Sequence, residues 1–241
     1  QLRKLTKINY LKELTESKKP YIIYKSNKGF DLYTDFSKKI ILTNNNIKSF
    51  INKATQFKFK KKETDIFIGF FGYEILNNLI GVKIKKQKGL KFPKGIFYKP
   101  ETKVKLQKKL DYKNLEKIKS NKPFKVNINK PSYKVIFDKF KKKIKSGETY
   151  QIKICTKYSN TAQIDALDFF CRLVKTNMAP EAFMIKDKNY SIISCSPENL
   201  INKKNDFITT KPIAGTLKKT SKLNKTKALT FFRKNLKETK E

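Results

Sequence analysis

Histidine is absent from all 241 residues. Its absence removes Ser-His-Asp and Cys-His catalysis from this chain, together with any His-ligated zinc. Cysteine is scarce: Cys155, Cys171 and Cys195 are odd in number and lie in no Cys-x-x-Cys pair. Neither a disulfide scaffold nor a thiolate zinc site is expected, and the usage suits a reducing cytoplasm. Arginine occurs only at Arg3, Arg172 and Arg233. Long apolar runs are missing too. The longest, such as Ile66–Phe71 and Ile192–Ile193, fall far short of the roughly 18–20 residues of a membrane span, so no membrane partner is expected. No apolar run follows the charged stretch Gln1–Tyr10, so no signal peptide is read. The first residue is Gln rather than Met, which suggests a natural start that has been lost or processed.

Lysine dominates what is present. Lys and Arg total 57 against 20 Asp and Glu, giving a net charge of +37. A nucleic-acid-binding basic protein is the obvious reading of that number. Direct base readout and bidentate phosphate contacts favour Arg, however, and Arg is nearly missing. Lys, Asn and Ile share A/T-rich codons, so mutational bias accounts for the composition. Nucleic acid is therefore not expected as a partner, and the basic-protein reading remains a rival. The 38% hydrophobic share is spread along the whole chain and suffices for a buried core. The length fits one ordinary domain or two small ones.

Two regions are expected, 1–130 and 131–241. In the first, Tyr21–Tyr24, Lys39–Leu42 and Ile66–Phe71 read as strands and Ile47–Ala54 as a short helix. Gly69 and Gly72 signal a bend or a close backbone approach. Thr102–Pro131 is polar and Lys-rich and reads as a connection. In the second region Tyr133, Phe137, Phe140 and Ile144 recur at helical spacing, with a stop at Ser146-Gly147. Thr149–Tyr158 alternates as a strand does. Asp165 is placed to cap a helix carrying Leu167, Phe170 and Val174. Ala182–Lys186 and Tyr190–Ser194 form a hairpin around Asp187–Asn189. Phe207–Lys211 is a further strand after a turn at 203–206, and Leu229, Phe232 and Leu236 mark a helix that runs to the end of the chain.

Taken as residues alone, two features suggest chemistry. Glu198 follows a β-forming run in Ser196-Pro197-Glu198; Pro ends the strand and leaves a carboxylate at the corner, where a general acid can sit. A solvated loop carboxylate is the plainer reading. Glu238 and Glu241 are three apart and share one helical face, as a pair of oxygen ligands for Mg²⁺ would. Lys237 and Lys240 beside them make surface ion pairing the plainer reading there.

The order of motifs shifts that balance. Gly147-Glu148-Thr149-Tyr150-Gln151-Ile152, Asn177-Met178-Ala179-Pro180, Ser196-Pro197-Glu198, Pro212-Ile213-Ala214-Gly215-Thr216 and Lys237-Glu238-Thr239-Lys240-Glu241 follow one another along the chain. In order and spacing this series resembles the chorismate-utilising enzymes, which include anthranilate, aminodeoxychorismate, isochorismate and salicylate synthases. The resemblance is best over Tyr133–Glu241 and looser over Tyr21–Ser26 and Gly69–Glu74. It implies an α/β fold of the anthranilate-synthase type, antiparallel sheets flanked by helices, of which this chain is the first part and the C-terminal portion is missing. Region 1–130 then corresponds to the N-terminal region of a large subunit, and 131–241 to the start of its catalytic domain.

The same resemblance implies roles. Glu198 matches the carboxyl group that helps the C4 hydroxyl of chorismate leave. Ala214, Gly215 and Thr216 match the substrate-contacting loop, Glu241 a direct Mg²⁺ ligand and Glu238 its water-mediated companion. Water-using members carry a Lys base where this chain has Gln151, which implies ammonia as nucleophile. Aminodeoxychorismate synthases carry an attacking Lys at the position of Ala214, so its lack favours direct amination to anthranilate plus pyruvate. The short N-terminal region, Leu217-Lys218-Lys219 and a substituting Lys211 keep aminodeoxychorismate synthase component I open. A glutamine amidotransferase subunit is implied as the ammonia source. Regulated anthranilate synthases carry Leu-Leu-Glu-Ser near the N-terminus; the matching stretch here, Ile23-Tyr24-Lys25-Ser26, has a base in place of the acid. A non-catalytic relic that only binds a partner subunit remains the second rival.

Overall fold

A computed structural model describes residues 10–11, 13–26, 29–56, 62–82, 92–106, 110, 123–204, 206–213, 215–236 and 239. Its central element is a six-stranded antiparallel sheet in the order β3-β4-β2-β1-β7-β8. The strands are β1 (Tyr21–Ser26), β2 (Gly29–Ile41), β3 (Ile68–Phe71), β4 (Gly95–Lys105), β7 (Glu181–Lys186) and β8 (Ser191–Ser196). β1 sits between β2, its hairpin partner, and β7, which comes from far along the chain and pairs Lys186 with Tyr21 and Phe183 with Tyr24. Strands distant in sequence thus share one ladder.

The sheet is apolar on both faces, because side chains alternate along each strand. Ile22, Tyr33, Ile96, Tyr98 and Ile185 form one buried cluster. The other cluster holds Leu42, Ile47, Phe50 and Ile75, with Ile40 and Phe97 packed against it. Ile96, Phe97 and Tyr98 therefore point alternately to the two faces. Ile47 and Phe50 come from α1 (Ile47–Gln56) and Ile75 from α2 (Tyr73–Leu79). The close approach expected of Gly69 and Gly72 is present. A Cβ on Gly69 would lie 1.9 Å from the Ile96 carbonyl oxygen, and one on Gly72 2.4 Å from that of Lys94.

The backbone divides into two units, 1–112 with 170–241, and 113–169. The second unit holds α3 (Lys130–Lys145), a minimal ribbon of β5 (Lys125–Val126) with β6 (Tyr158–Ser159), and the first residues of α4 (Ala166–Asn177). Asn129 caps α3 by accepting from the Ser132 N–H at 2.9 Å, and the helix stops at Ser146, before Gly147 at φ 76°. Asp165 caps α4 as expected, accepting from the Asp168 N–H at 2.7 Å. In the first unit, β9 (Asn199–Lys204) and β10 (Phe207–Lys211) make a separate two-stranded ribbon, followed by α5 (Lys225–Lys234).

Three expectations need correction. Thr149–Tyr158 is not a strand: only Tyr158 and Ser159 pair, with Val126 and Lys125. An alternating pattern forms a strand only where a ladder partner accepts its N–H and C=O groups, and Thr149 Oγ1 instead donates locally to the Gln151 carbonyl at 3.1 Å. Thr102–Pro131 is not all connection, because Thr102–Lys105 completes β4 against β2 and Lys130 opens α3. The last helix does not carry Leu229, Phe232 and Leu236 together; α5 ends at Lys234, where Asn235 turns extended.

Candidate active site

The Ser-Pro-Glu corner lies between β8 and β9. Pro197 cannot donate to a ladder, so β8 ends at Ser196 and β9 begins at Asn199, leaving Glu198 in the turn. Ser196 holds the corner closed: its hydroxyl donates to the Glu198 carbonyl at 2.9 Å and accepts from the Glu198 N–H at 3.3 Å. The Glu198 side chain is exposed, and its Oε1 accepts the backbone N–H of Ile213 at 3.2 Å. Ile213 belongs to the loop after β10, so two motifs fifteen residues apart are brought into direct contact. Gly215 is half-buried beside this contact in sequence, and Thr216 is exposed.

Further contacts brace the corner from β1 and β7. Asn199 Nδ2 donates to Glu181 Oε1 at 3.3 Å, and the Tyr24 hydroxyl donates to Glu181 Oε2 at 2.7 Å. Burial, then the hydrogen bond to Glu181 and its charge, push the Tyr24 hydroxyl well above its ordinary value. Lys25 donates to the Ala179 carbonyl oxygen. Burial raises the Cys195 thiol above its ordinary value, with the Lys25 charge working against it, so it is a poor nucleophile. Sequence reading missed Glu181 as a brace. Its position just after Asn177-Met178-Ala179-Pro180 was the available signal, but the partners Tyr24 and Asn199 are set by the β1–β7 pairing.

Gln151 lies in the unit 113–169, exposed, on irregular backbone. Nearby, the hydrogen bond from Lys143 holds the Glu148 carboxyl below its ordinary value. Ala214, Glu238 and Glu241 lie outside the described residues. Among the described residues no group of three or more His, Cys, Asp or Glu is placed to hold a metal. The described part of the corner offers one carboxylate, Glu198, with one oxygen already engaged by Ile213. No helix among the described residues is long and apolar enough to cross a membrane.

A carboxylate corner hydrogen-bonded to the loop after β10, on a mixed α/β scaffold without histidine, leaves Glu198 as the candidate acid. The chain belongs to the chorismate-binding enzyme family, whose model matches residues 9–241. It is 29% identical over 94 residues to aminodeoxychorismate synthase component 1 of Klebsiella aerogenes, covering 39% of this chain and 21% of that protein. It is 27% identical over 93 residues to anthranilate synthase component 1 of Cereibacter sphaeroides, covering 39% and 19%. Against anthranilate synthase component 1 of Buchnera aphidicola subsp. Pemphigus spyrothecae, 27% identity extends over 186 residues, 62% of this chain and 35% of that protein. The chain spans about a fifth of the length of the first two relatives.

Proposed function

We propose that this chain supplies the first part of a chorismate-aminating component I subunit, with anthranilate synthase as the favoured activity. The observation that carries the reading is the hydrogen bond from Ile213 N to Glu198 Oε1. That contact supports reading Glu198 as the acid and the loop that holds Ile213 as the one that meets the substrate. Region 131–241 then forms the start of the catalytic domain, and the setting is cytoplasmic.

In this mechanism Glu198 in its protonated form donates to the departing C4 hydroxyl of chorismate, since hydroxide is a poor leaving group. Gly215 and Thr216 hold the ring against it, with Ala214 giving no covalent attack. By the resemblance, Gln151 stands where water-using members carry a Lys base, so ammonia adds at C2; loss of water and then of pyruvate leaves anthranilate. Mg²⁺, held by Glu241 directly and by Glu238 through water, would offset the charge of the two substrate carboxylates. Free ammonia is scarce at neutral pH, and a chain without histidine has no Cys-His-Glu triad, so a glutamine amidotransferase subunit supplies it. The relatives divide between anthranilate and aminodeoxychorismate synthases, so aminodeoxychorismate synthase component I is the second reading, with Lys211 as the substitute amine.

The test uses the protein that carries this chain with the remaining length of its relatives. Glu198→Gln is expected to lower turnover with chorismate, Mg²⁺ and ammonium by about 10²-fold or more. Unchanged turnover would remove Glu198 from its role. Product analysis separates anthranilate from aminodeoxychorismate.

A further inference from the structure

β10 is exposed along its whole length, and β9 along all but its first residue. Apolar packing therefore does little to fix where this ribbon stands against the sheet. Polar contacts do, and they converge on Glu181 of β7. Its backbone pairs with Ser196, the last residue of β8. Its side chain accepts from Nδ2 of Asn199, the first residue of β9, at 3.3 Å. Pro197 and Glu198 are the residues between those two. One residue thus holds the candidate acid's corner at both ends.

Glu181 is itself locked. Its second carboxylate oxygen accepts the Tyr24 hydroxyl at 2.7 Å. Tyr24 lies inside β1, paired with Asp31 on one side and with Phe183 on the other. The same chain of contacts reaches the loop after β10. Asn199 pairs with Lys211, and two residues further on Ile213 gives its N–H to Glu198 Oε1. The ladder shifts register between Thr209 and Lys211, an irregularity of the kind that re-aims neighbouring groups. Asn199 therefore sets where the loop leaves the ribbon, and Glu181 sets Asn199.

We propose that Glu181 is the positioning residue for Glu198, an inference that rests on reading Glu198 as the acid. Its role is exerted through Asn199 and the loop, not on the reacting atoms. A protonated carboxyl has one oxygen that accepts and one that donates. Ile213 engages the accepting oxygen and leaves the other to carry the proton. Release of Asn199 moves both the corner and the Ile213 donor, and a misplacement of about 1 Å costs on the order of 10²-fold in rate.

A double-mutant cycle tests this in the protein that carries this chain with the remaining length of its relatives, assayed with chorismate, Mg²⁺ and ammonium. Glu181→Ala is expected to lower kcat about tenfold or more and to change KM less than about threefold. Asn199→Ala cuts the same link from its other side and should match it, so the test survives an unstable Glu181→Ala. In Glu181→Gln, Oε1 still accepts from Asn199, and the Tyr24 hydroxyl reverses to accept from Nε2, so kcat should return to within about threefold of wild type. Added to Glu198→Gln, Glu181→Ala should cost less than about twofold more, because the group it positions is already gone. A full further tenfold loss in that background, or a drop in Glu198→Gln with none in Glu181→Ala and Asn199→Ala, would overturn this inference alone. Unchanged turnover in Glu198→Gln would overturn the assignment of the acid, and the inference with it.

Discussion

The six-stranded sheet and the β9–β10 ribbon are built from similar residues and end in opposite conditions. In the sheet, Tyr21, Ile22, Ile23 and Leu32 are at most 1% exposed. In the ribbon, Leu200, Phe207 and Ile208 are 81%, 79% and 68% exposed. Apolar β-forming residues are present in both, so propensity does not account for the difference. Cover does: the sheet is closed over by α1, α2 and its own paired strands, whereas a two-stranded ribbon has marginal stability alone. The candidate site hangs from the less stable partner. Glu198 opens the ribbon, and what fixes it is a handful of polar contacts, from Ile213 to Glu198 and from Asn199 to Glu181. Stability and candidate function therefore sit on different elements of the same unit.

Substitutions in the two places should separate sharply. Gly69→Ala forces a methyl group to within 1.9 Å of a backbone carbonyl between β3 and β4. It is expected to lower unfolding free energy by about 3 kcal/mol, read from urea denaturation of this chain. Ile208→Ser in the ribbon should change it by less than about 0.5 kcal/mol. Equal losses at the two positions would show that the ribbon is as well buried as the sheet.

A smaller effect probes how the sheet holds its buried charge. Asp187 is 5% exposed, at the β7–β8 turn. Burial alone would raise its carboxyl, but hydrogen bonds from Lys39, Tyr98 and the Lys188 N–H outweigh it and hold Asp187 below its ordinary value of 3.8. A carboxyl depressed by folding contributes stability that is present above the unfolded value and lost as pH falls through the folded one. Thermal unfolding midpoints should therefore drop below about pH 4, and Asp187→Asn should flatten part of that drop. Tyr98→Phe removes one donor to Asp187 and should cost about 1–2 kcal/mol at neutral pH. An acid profile unchanged in Asp187→Asn would assign the sensitivity to other carboxyls.

These contrasts also mark what the sequence discloses. Local signals transferred well. Asp165 caps its helix, Ser146-Gly147 stops another, Gly69 and Gly72 meet a neighbouring backbone, and the hairpin turns at Asp187. Each depends on residues within a few positions or on a glycine with one physical reason to be there. Thr149–Tyr158 did not transfer, because a strand is a property of two segments and only its last residue found a partner. β9 escaped notice for a related reason: Asn199-Leu200-Ile201-Asn202 carries no alternation, and its pairing with β10 is what makes it a strand. At the candidate site, the Ser-Pro-Glu corner and the Pro-Ile-Ala-Gly-Thr loop stand out in the sequence, but their contact does not. Glu181 was illegible as a brace, since its two partners lie 157 residues before it and 18 after it.

The smallest expected effect is the absence of one, and it concerns the junction between sheet and site. Lys25 sits on β1, and its ammonium donates to the Ala179 carbonyl oxygen. Beside it, Tyr24 is committed to Glu181, which in turn holds Asn199 next to Glu198. In regulated anthranilate synthases, by the resemblance of Ile23-Tyr24-Lys25-Ser26, an acid stands where Lys25 does and is suited to accept the ammonium group of tryptophan. A lysine ammonium there repels that group, and it is itself engaged with the Ala179 carbonyl oxygen. Tryptophan at micromolar concentrations is therefore expected to leave the unfolding midpoint of this chain unchanged. Saturable micromolar binding, lost on Lys25→Met, would show that Lys25 serves tryptophan recognition instead of blocking it.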